Sequence, residues 1–307
     1  MALGGNALQP PGERGGIHDQ FRHTRESLAA VVELARAGWR IAIVHGNGPQ
    51  VGDALERNER AFDRVPPLPL GVLVSATAGW IGYMVQQSLQ NALDRAGVRR
   101  TVLTTVTQTV VAPGGETLAP TKPIGHRLSD DERARYAARG VPVGQDGGGG
   151  WRRLAASPVP VDIVEAEAVK QLVTEGWIVI AAGGGGSPVY RDPARGWEGI
   201  DAVVDKDRAA AILATKVGAD TMMILTNVDA VYEHWDGPER RPLRTITLAA
   251  AEALLASEQL GGGSMRPKVE AAVQFVRAGG RRAVIADLRD GPAALRGETG
   301  TTIRSET

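Results

Sequence analysis

The chain has 307 residues, more than the ~100–200 usual for one domain, yet within what an α/β sheet fills as a single unit. Hydrophobic residues make up 43% and charged residues 23%, and Lys plus Arg (35) equals Asp plus Glu (35), which excludes a global field that would draw the chain to nucleic acid or an anionic membrane. The absence of cysteine excludes disulfides and thiolate chemistry. With neither a signal-like N-terminus nor an apolar run of roughly 18 residues, the expected setting is cytoplasmic, without a membrane partner.

In chain order, helix-period segments alternate with short apolar runs. A helix is predicted over Thr24 to Ala37, a strand over Arg40 to Val44, a helix over Gly79 to Ala96 and a strand over Arg100 to Thr105. Residues 113–160 break the pattern with Pro113, Pro120, Pro123, Pro142, Pro158 and Pro160, and read as an excursion from the sheet that forms a flap over a ligand cleft. A helix over Ile163 to Glu175, a strand over Trp177 to Ala182 and a helix over Ala209 to Val217 follow. The last predicted elements are a strand over Met222 to Thr226, helices over Leu248 to Ser257 and Pro267 to Ala278, and a strand over Arg282 to Ala286. Strands apolar on both faces and rich in β-branched residues imply an α/β fold with a mostly parallel sheet covered by helices on both sides.

Four glycine-rich loops fall at predicted strand ends or helix starts: ALGGNAL (2–8), HGNGPQVG (45–52), AAGGGGSPV (181–189) and GGGSMRPK (261–268). Without Cβ atoms, such backbones let a ligand come close to N–H groups. Three lysines could neutralise an anion among them. Lys206 lies between Asp205 and Asp207 at a helix start; Lys268 follows Pro267, where the helix dipole disfavours a cation unless an anion intervenes; Lys122 stands in APTKPIG within the presumed flap. GxxxxGK[ST], GxGxxG with a downstream acid, HExxH and GxSxG are all missing. His45 reads better as a strand-end residue bonded to backbone than as a general base.

Taken together these segments resemble the carbamate kinases, a branch of the amino acid kinase superfamily. The likeness runs nearly end to end through ALGGNAL, HGNGPQVG, IGYMVQQSLQNAL, PTKPIG, GGWRR, AAGGGGSPV, DAVVDKDRAAAILA, ADTMMILTNVDAVY, GSMRPKVEAAVQFV and GETGTTI, with PTKPIG followed by GGWRR the most specific part. The resemblance implies a three-layer αβα sandwich with a mostly parallel central sheet and a small protruding subdomain, assembled as a homodimer. It also implies a single domain, in which 1–112 and 161–199 form a phosphoryl-acceptor half, 113–160 the flap and 200–307 a nucleotide-binding half. The implied reaction is reversible phosphoryl transfer between ATP, accompanied by Mg²⁺, and carbamate, giving ADP and carbamoyl phosphate.

Carried over residue by residue, Gly4, Gly5, Asn6, Gly46, Asn47 and Gly48 would line the phosphoryl and carbamate site. Lys206 and Lys268 would sit against the transferred phosphoryl, oriented by Asp207, and Lys122 would close over it from the flap. Thr226, Asn227, Val228 and Tyr232, with Ser264, Met265 and Pro267, would hold the nucleotide. Positioning and charge neutralisation supply most of the acceleration in such a reaction, and carbamate is already an oxyanion, so no general base is required.

Three departures from the resemblance stand out. Thr77-Ala78-Gly79-Trp80 replaces a Ser-Gln-Gly beside the small-substrate pocket, which keeps open a different small carboxylate or phosphate acceptor or a non-catalytic nucleotide-binding relative; His126-Arg127-Leu128 follows KPIG where a proline and an aromatic are usual; and Arg266 replaces a small residue, either adding a cation beside the nucleotide loop or pointing to solvent. Relatives also carry several apolar residues ahead of ALGGNAL, so the start at Met1 is expected to be assigned too far downstream.

Overall fold

The computed structural model describes residues 1–4, 15–112, 118–235, 237–257, 259–260 and 265–305. The chain opens with a two-residue strand, β1 (Ala2–Leu3), and continues through α1 (Ile17–Ser27), α2 (Ala29–Arg36), β2 (Ile41–His45), α3 (Gly48–Arg60) and α4 (Leu70–Arg95). The segment read as one helix from Thr24 to Ala37 is thus two helices that meet at Leu28. Helix α3 was not among the predicted elements. It buries only Gln50, Val51 and Gly52, too few apolar positions to leave a periodic stripe. Helix α4 begins at Leu70 rather than Gly79, with Pro69 held extended at φ −56° and ψ 152° just before it.

Next come β3 (Val102–Thr104), β4 (Gln108–Val111), β5 (Lys122–Ile124), α5 (Asp130–Ala138), β6 (Val143–Gln145), β7 (Trp151–Ala155) and β8 (Pro160–Ile163). Strands β5, β7 and β6 form their own antiparallel sheet, beside which α5 starts at a reciprocal Ser129/Glu132 cap. The chain proceeds through α6 (Ala166–Thr174), β9 (Ile178–Ile180), β10 (Ser187–Asp192), β11 (Gly196–Gly199), α7 (Lys206–Lys216) and β12 (Thr221–Thr226). The remainder is β13 (Val231–Glu233), β14 (Arg241–Leu243), β15 (Thr245–Thr247), α8 (Leu248–Ala256), α9 (Met265–Arg277), β16 (Arg282–Asp287), α10 (Gly291–Leu295) and β17 (Thr301–Arg304).

Eight strands make the main sheet in the order β15-β17-β16-β12-β1-β2-β9-β3. From β16 to β3 every pairing is parallel, and β17 runs antiparallel to β16. Strand alternation explains why these runs are apolar throughout. In β2, Ile41 and Ile43 join the core formed with α2 and α4, while Ala42 and Val44 face the opposite core with α7 and α9; Met222 to Leu225 alternate in the same way. Both faces therefore carry helices. Phe275 of α9, 1% exposed, and Leu89 and Met84 of α4, both fully buried, are among the largest fully buried side chains of the two cores.

The position of β1 matters most for a ligand. The chain moves from β1 to β2 on one side and returns to its other side only at β12, so β1 lies at the point where strand order reverses. In open α/β sheets the crevice at the carboxyl ends of such strands is where ligands bind. Although only two residues long, β1 pairs on both flanks, Ala2 with Val44 and Ile224, and Leu3 with His45 and Leu225.

Candidate active site

The carboxyl ends of β1, β2, β9 and β12 open onto the loops singled out from sequence. Gly5 and Asn6 lie outside the described residues. Gly4 and Gly46 are present, but their N–H groups continue the sheet ladder: Gly4 donates to Leu225 O at 3.1 Å and Gly46 to Leu3 O at 3.1 Å. Neither N–H can also point at a phosphoryl group, so these two glycines contribute lack of bulk rather than donors.

Beyond them, Asn47 stands at the N-cap position of α3, with Gly48 as its first residue and a proline next. Asparagine is among the residues most used to cap a helix through its side chain. Here it makes no side-chain cap bond; its Nδ2 donates to Thr77 Oγ1 of α4 at 3.0 Å.

The third glycine loop separates the two halves of the site. Ala182 and Gly184 to Gly186 all have positive φ, from 49° to 98°, and each glycine backs onto a different group. A Cβ on Gly183 would overlap the His45 ring, one on Gly184 the Asn47 amide, one on Gly185 the Val204 carbonyl and one on Gly186 the Thr109 hydroxyl. The backbone thus fills the space between the end of β2 and the residues entering α7, where no larger residue fits. Sequence analysis marked this loop without assigning it a role. Burial pushes the His45 imidazole down to about 4, against weaker upward pulls from the Gly46 and Ala78 carbonyls, so at neutral pH it carries no charge.

The lysines gather on the far side of that loop. Asp205 caps α7, accepting from the N–H of Asp207 at 2.9 Å and of Arg208 at 3.3 Å. Lys206 Nζ lies 2.5 Å from Asp207 Oδ1, and Lys268 Nζ from α9 lies 3.1 Å from Asp207 Oδ2. One buried carboxylate therefore holds two ammoniums from different helices, and Arg208 to Glu270 at 2.9 Å ties the same helices together. Lys122 reaches from β5 to Asp205 Oδ2 at 2.9 Å. Burial raises the Asp205 pKa, but the charges of Lys122 and Lys206 outweigh it and hold the carboxyl well below the usual range. Burial lowers the Lys268 pKa, helped by the charge of Lys206 and opposed by Asp207. Among the described residues the ammoniums of Lys122, Lys206 and Lys268 face the carboxylates of Asp205 and Asp207, a surplus of cation that suits an anionic ligand. Asp205, not among the residues singled out as functional, is the anchor for Lys122.

The strand bearing Lys122 rests on α3. Gly125 N donates to Gly48 O at 3.1 Å, and Gly52 and Gly125 touch through backbone, so a Cβ on Gly52 would overlap Gly125. His126 lies 3.5 Å from Glu56 and 3.4 Å from Glu132, and Arg153 lies 2.9 Å from Glu59.

Of the residues expected at the nucleotide, Thr226 ends β12 and is buried; its hydroxyl donates to Asn227 Oδ1 at 3.3 Å, and Val228 follows in the same loop. Tyr232 in β13 donates to Asp229 at 2.8 Å and packs edge-on against Trp235, with the Arg240 guanidinium 4.1 Å from both rings. Trp235 and Arg240 were not among the residues expected at the nucleotide. Met265 and Pro267 occupy the first turn of α9, and Ser264 lies outside the described residues. Arg266 is neither a nucleotide-facing cation nor a solvent residue: it donates to Leu255 O at 2.7 Å and Ser257 O at 3.0 Å, closing the carbonyl end of α8.

This arrangement, glycine loops at a switch point with converging lysines, is that of a phosphoryl-transfer fold, and the Amino acid kinase family model matches residues 1–287. The chain belongs to that family. Among its relatives, the carbamate kinase of Pyrococcus horikoshii is 40% identical over 99% of this chain and 98% of its own, and that of Clostridium perfringens is 42% identical over the same shares. The structure of carbamate kinase from Giardia lamblia bound to AMP-PNP superimposes with a TM-score of 0.88 at 35% identity, over 99% of this chain and 97% of that one.

Proposed function

We infer that this chain is a carbamate kinase, transferring a phosphoryl group reversibly between ATP and carbamate to give ADP and carbamoyl phosphate. The observation that carries the reading is Asp207 holding Lys206 and Lys268 together, with Lys122 brought beside them through Asp205. A phosphoryl group in transfer spreads charge over its equatorial oxygens, and fixed ammoniums offset that charge without reorganising. Asp207 keeps the two lysines in register before substrate arrives, and Lys122 can exchange its carboxylate partner for phosphate oxygens. The carbamate oxygen attacks phosphorus as the bond to the ADP oxygen breaks, with no proton to remove. An uncharged His45 is consistent with that economy.

ATP or ADP would lie along the loop after β12 and the first turn of α9; that a nucleotide binds at all is supported by the similar Giardia carbamate kinase, which is bound to AMP-PNP. Among the described residues no group of three or more His, Asp or Glu could hold a metal, and both local aspartates already bond lysines. Mg²⁺ therefore fits as an ion carried by the nucleotide's phosphate oxygens, where it would neutralise charge on the β- and γ-phosphates. No helix among the described residues is long and apolar enough to cross a membrane. A cytoplasmic homodimer is the setting we propose.

The deciding measurement is ATP formation from carbamoyl phosphate and ADP in a coupled assay, with acetyl phosphate as control. Turnover with carbamoyl phosphate well above the control supports the assignment; equal rates, or none, would sink it.

A further inference from the structure

The proposed reaction leaves the buried hydrogen bond between Asn47 and Thr77 without a role. Thr77 lies within α4 and is fully buried; Asn47 is 3% exposed. The Thr77 hydroxyl has one proton and donates it to Val74 O at 2.8 Å. Its oxygen can then only accept from Asn47, so the amide must present Nδ2, and the orientation of Asn47 is fixed by hydrogen-bond logic. The amide also lies against Gly184, where no side chain fits. Clamped between Thr77 and the glycine loop, Asn47 is drawn away from the capping role its position favours. The first N–H groups of α3 are consequently left uncapped by the loop's own side chain, at the place where the acceptor's anionic group would lie in the proposed reaction.

We propose that Thr77 is a positioning residue for the acceptor: it acts through Asn47, fixing the 46–48 loop for carbamate or the carbamoyl end of carbamoyl phosphate, and has no part in nucleotide binding. Alanine at position 78 strengthens the point. With only a methyl group next to Thr77 in α4, the hydroxyl is the polar group this segment sends to Asn47. The inference rests on the carbamate kinase reading and deepens it.

The test is steady-state ATP formation by the full chain, varying carbamoyl phosphate at saturating ADP and then ADP at saturating carbamoyl phosphate. Thr77→Val keeps the shape and removes the acceptor oxygen; Thr77→Ser keeps the oxygen. Leaving a buried donor unpaired should raise the KM for carbamoyl phosphate, or lower kcat over that KM, by ~5- to 100-fold, with the KM for ADP moving less than about twofold. Thr77→Ser should restore most of the loss. In an Asn47→Ala background the Thr77→Val effect should shrink below about twofold, because the residue it acts through is gone. Equal changes toward both substrates, or full additivity with Asn47→Ala, would overturn the proposal. Should valine prevent folding, Thr77→Ala carries the same cycle. A wild-type chain without turnover would fail at the earlier step, the activity itself, and take this inference with it.

Discussion

At the scale of single residues, the site depends on how Asp207 divides itself between two lysines. In the proposed reaction each ammonium would be a preorganised cation aimed where charge develops, and removing one such group typically lowers turnover by ~10²–10³. Lys206→Ala and Lys268→Ala are each expected to lose kcat by that factor while circular dichroism and melting behaviour stay close to the parent. Near-normal turnover in either variant would remove that lysine from the mechanism. Lys268→Arg is expected to fail almost as badly, since a planar guanidinium cannot take the place of a compact ammonium that is 8% exposed and bonded to Asp207 Oδ2.

At the scale of elements, the contact between α3 and the turn after β5 transmits position from one side of the site to the other. Gly52→Ala would press a methyl group into Gly125 and lift the 122–125 segment from α3, moving Lys122 away from Asp205. A displacement near 1 Å can lower a rate on the order of 10²-fold, and the overpacking costs about 1–3 kcal/mol. We expect kcat to fall by that order with the KM for ADP little changed, checked by the assay above; unaltered kinetics would show that the contact sets nothing catalytic.

The same elements mark what sequence could convey. Strands β2, β9, β12 and β16 were legible because burial on both faces leaves an uninterrupted apolar run. Helix α3, strands β10 and β11 and the small sheet of β5, β6 and β7 were not, because they are half exposed and held by backbone bonds and ion pairs that leave no periodicity. The lysines were legible as a set through their flanking motifs. The link from Asn47 to Thr77 spans 30 positions and the one from Lys122 to Asp205 spans 83, and no local pattern encodes either.

At the scale of the whole molecule, His45, buried at the end of β2, contributes to how the protein responds to acid. The folded chain protonates His45 only near pH 4, whereas the unfolded chain does so near 6.5. Between those values the unfolded state binds more protons, so stability falls as pH drops from about 6.5 toward 4, by on the order of 3 kcal/mol for this one group. Urea midpoints at pH 7 and pH 4.5 should show a smaller difference in His45→Gln than in the parent, the remainder falling to groups such as the buried Met1 amine; an identical difference would mean that His45 makes no contribution.

The sequence contains five lysines, Lys122, Lys170, Lys206, Lys216 and Lys268, so arginine supplies the other 30 of its 35 basic residues. Three of the five converge on Asp205 and Asp207, while the side chains of Lys170 and Lys216 are 47% and 43% exposed. Amine footprinting thereby becomes a direct view of the proposed catalytic centre. An acylating reagent read out by peptide mass should tag Lys170 and Lys216 at rates indifferent to nucleotide, while saturating ADP shields Lys122, Lys206 and Lys268; tagging of those three that ignored ADP would place the nucleotide elsewhere.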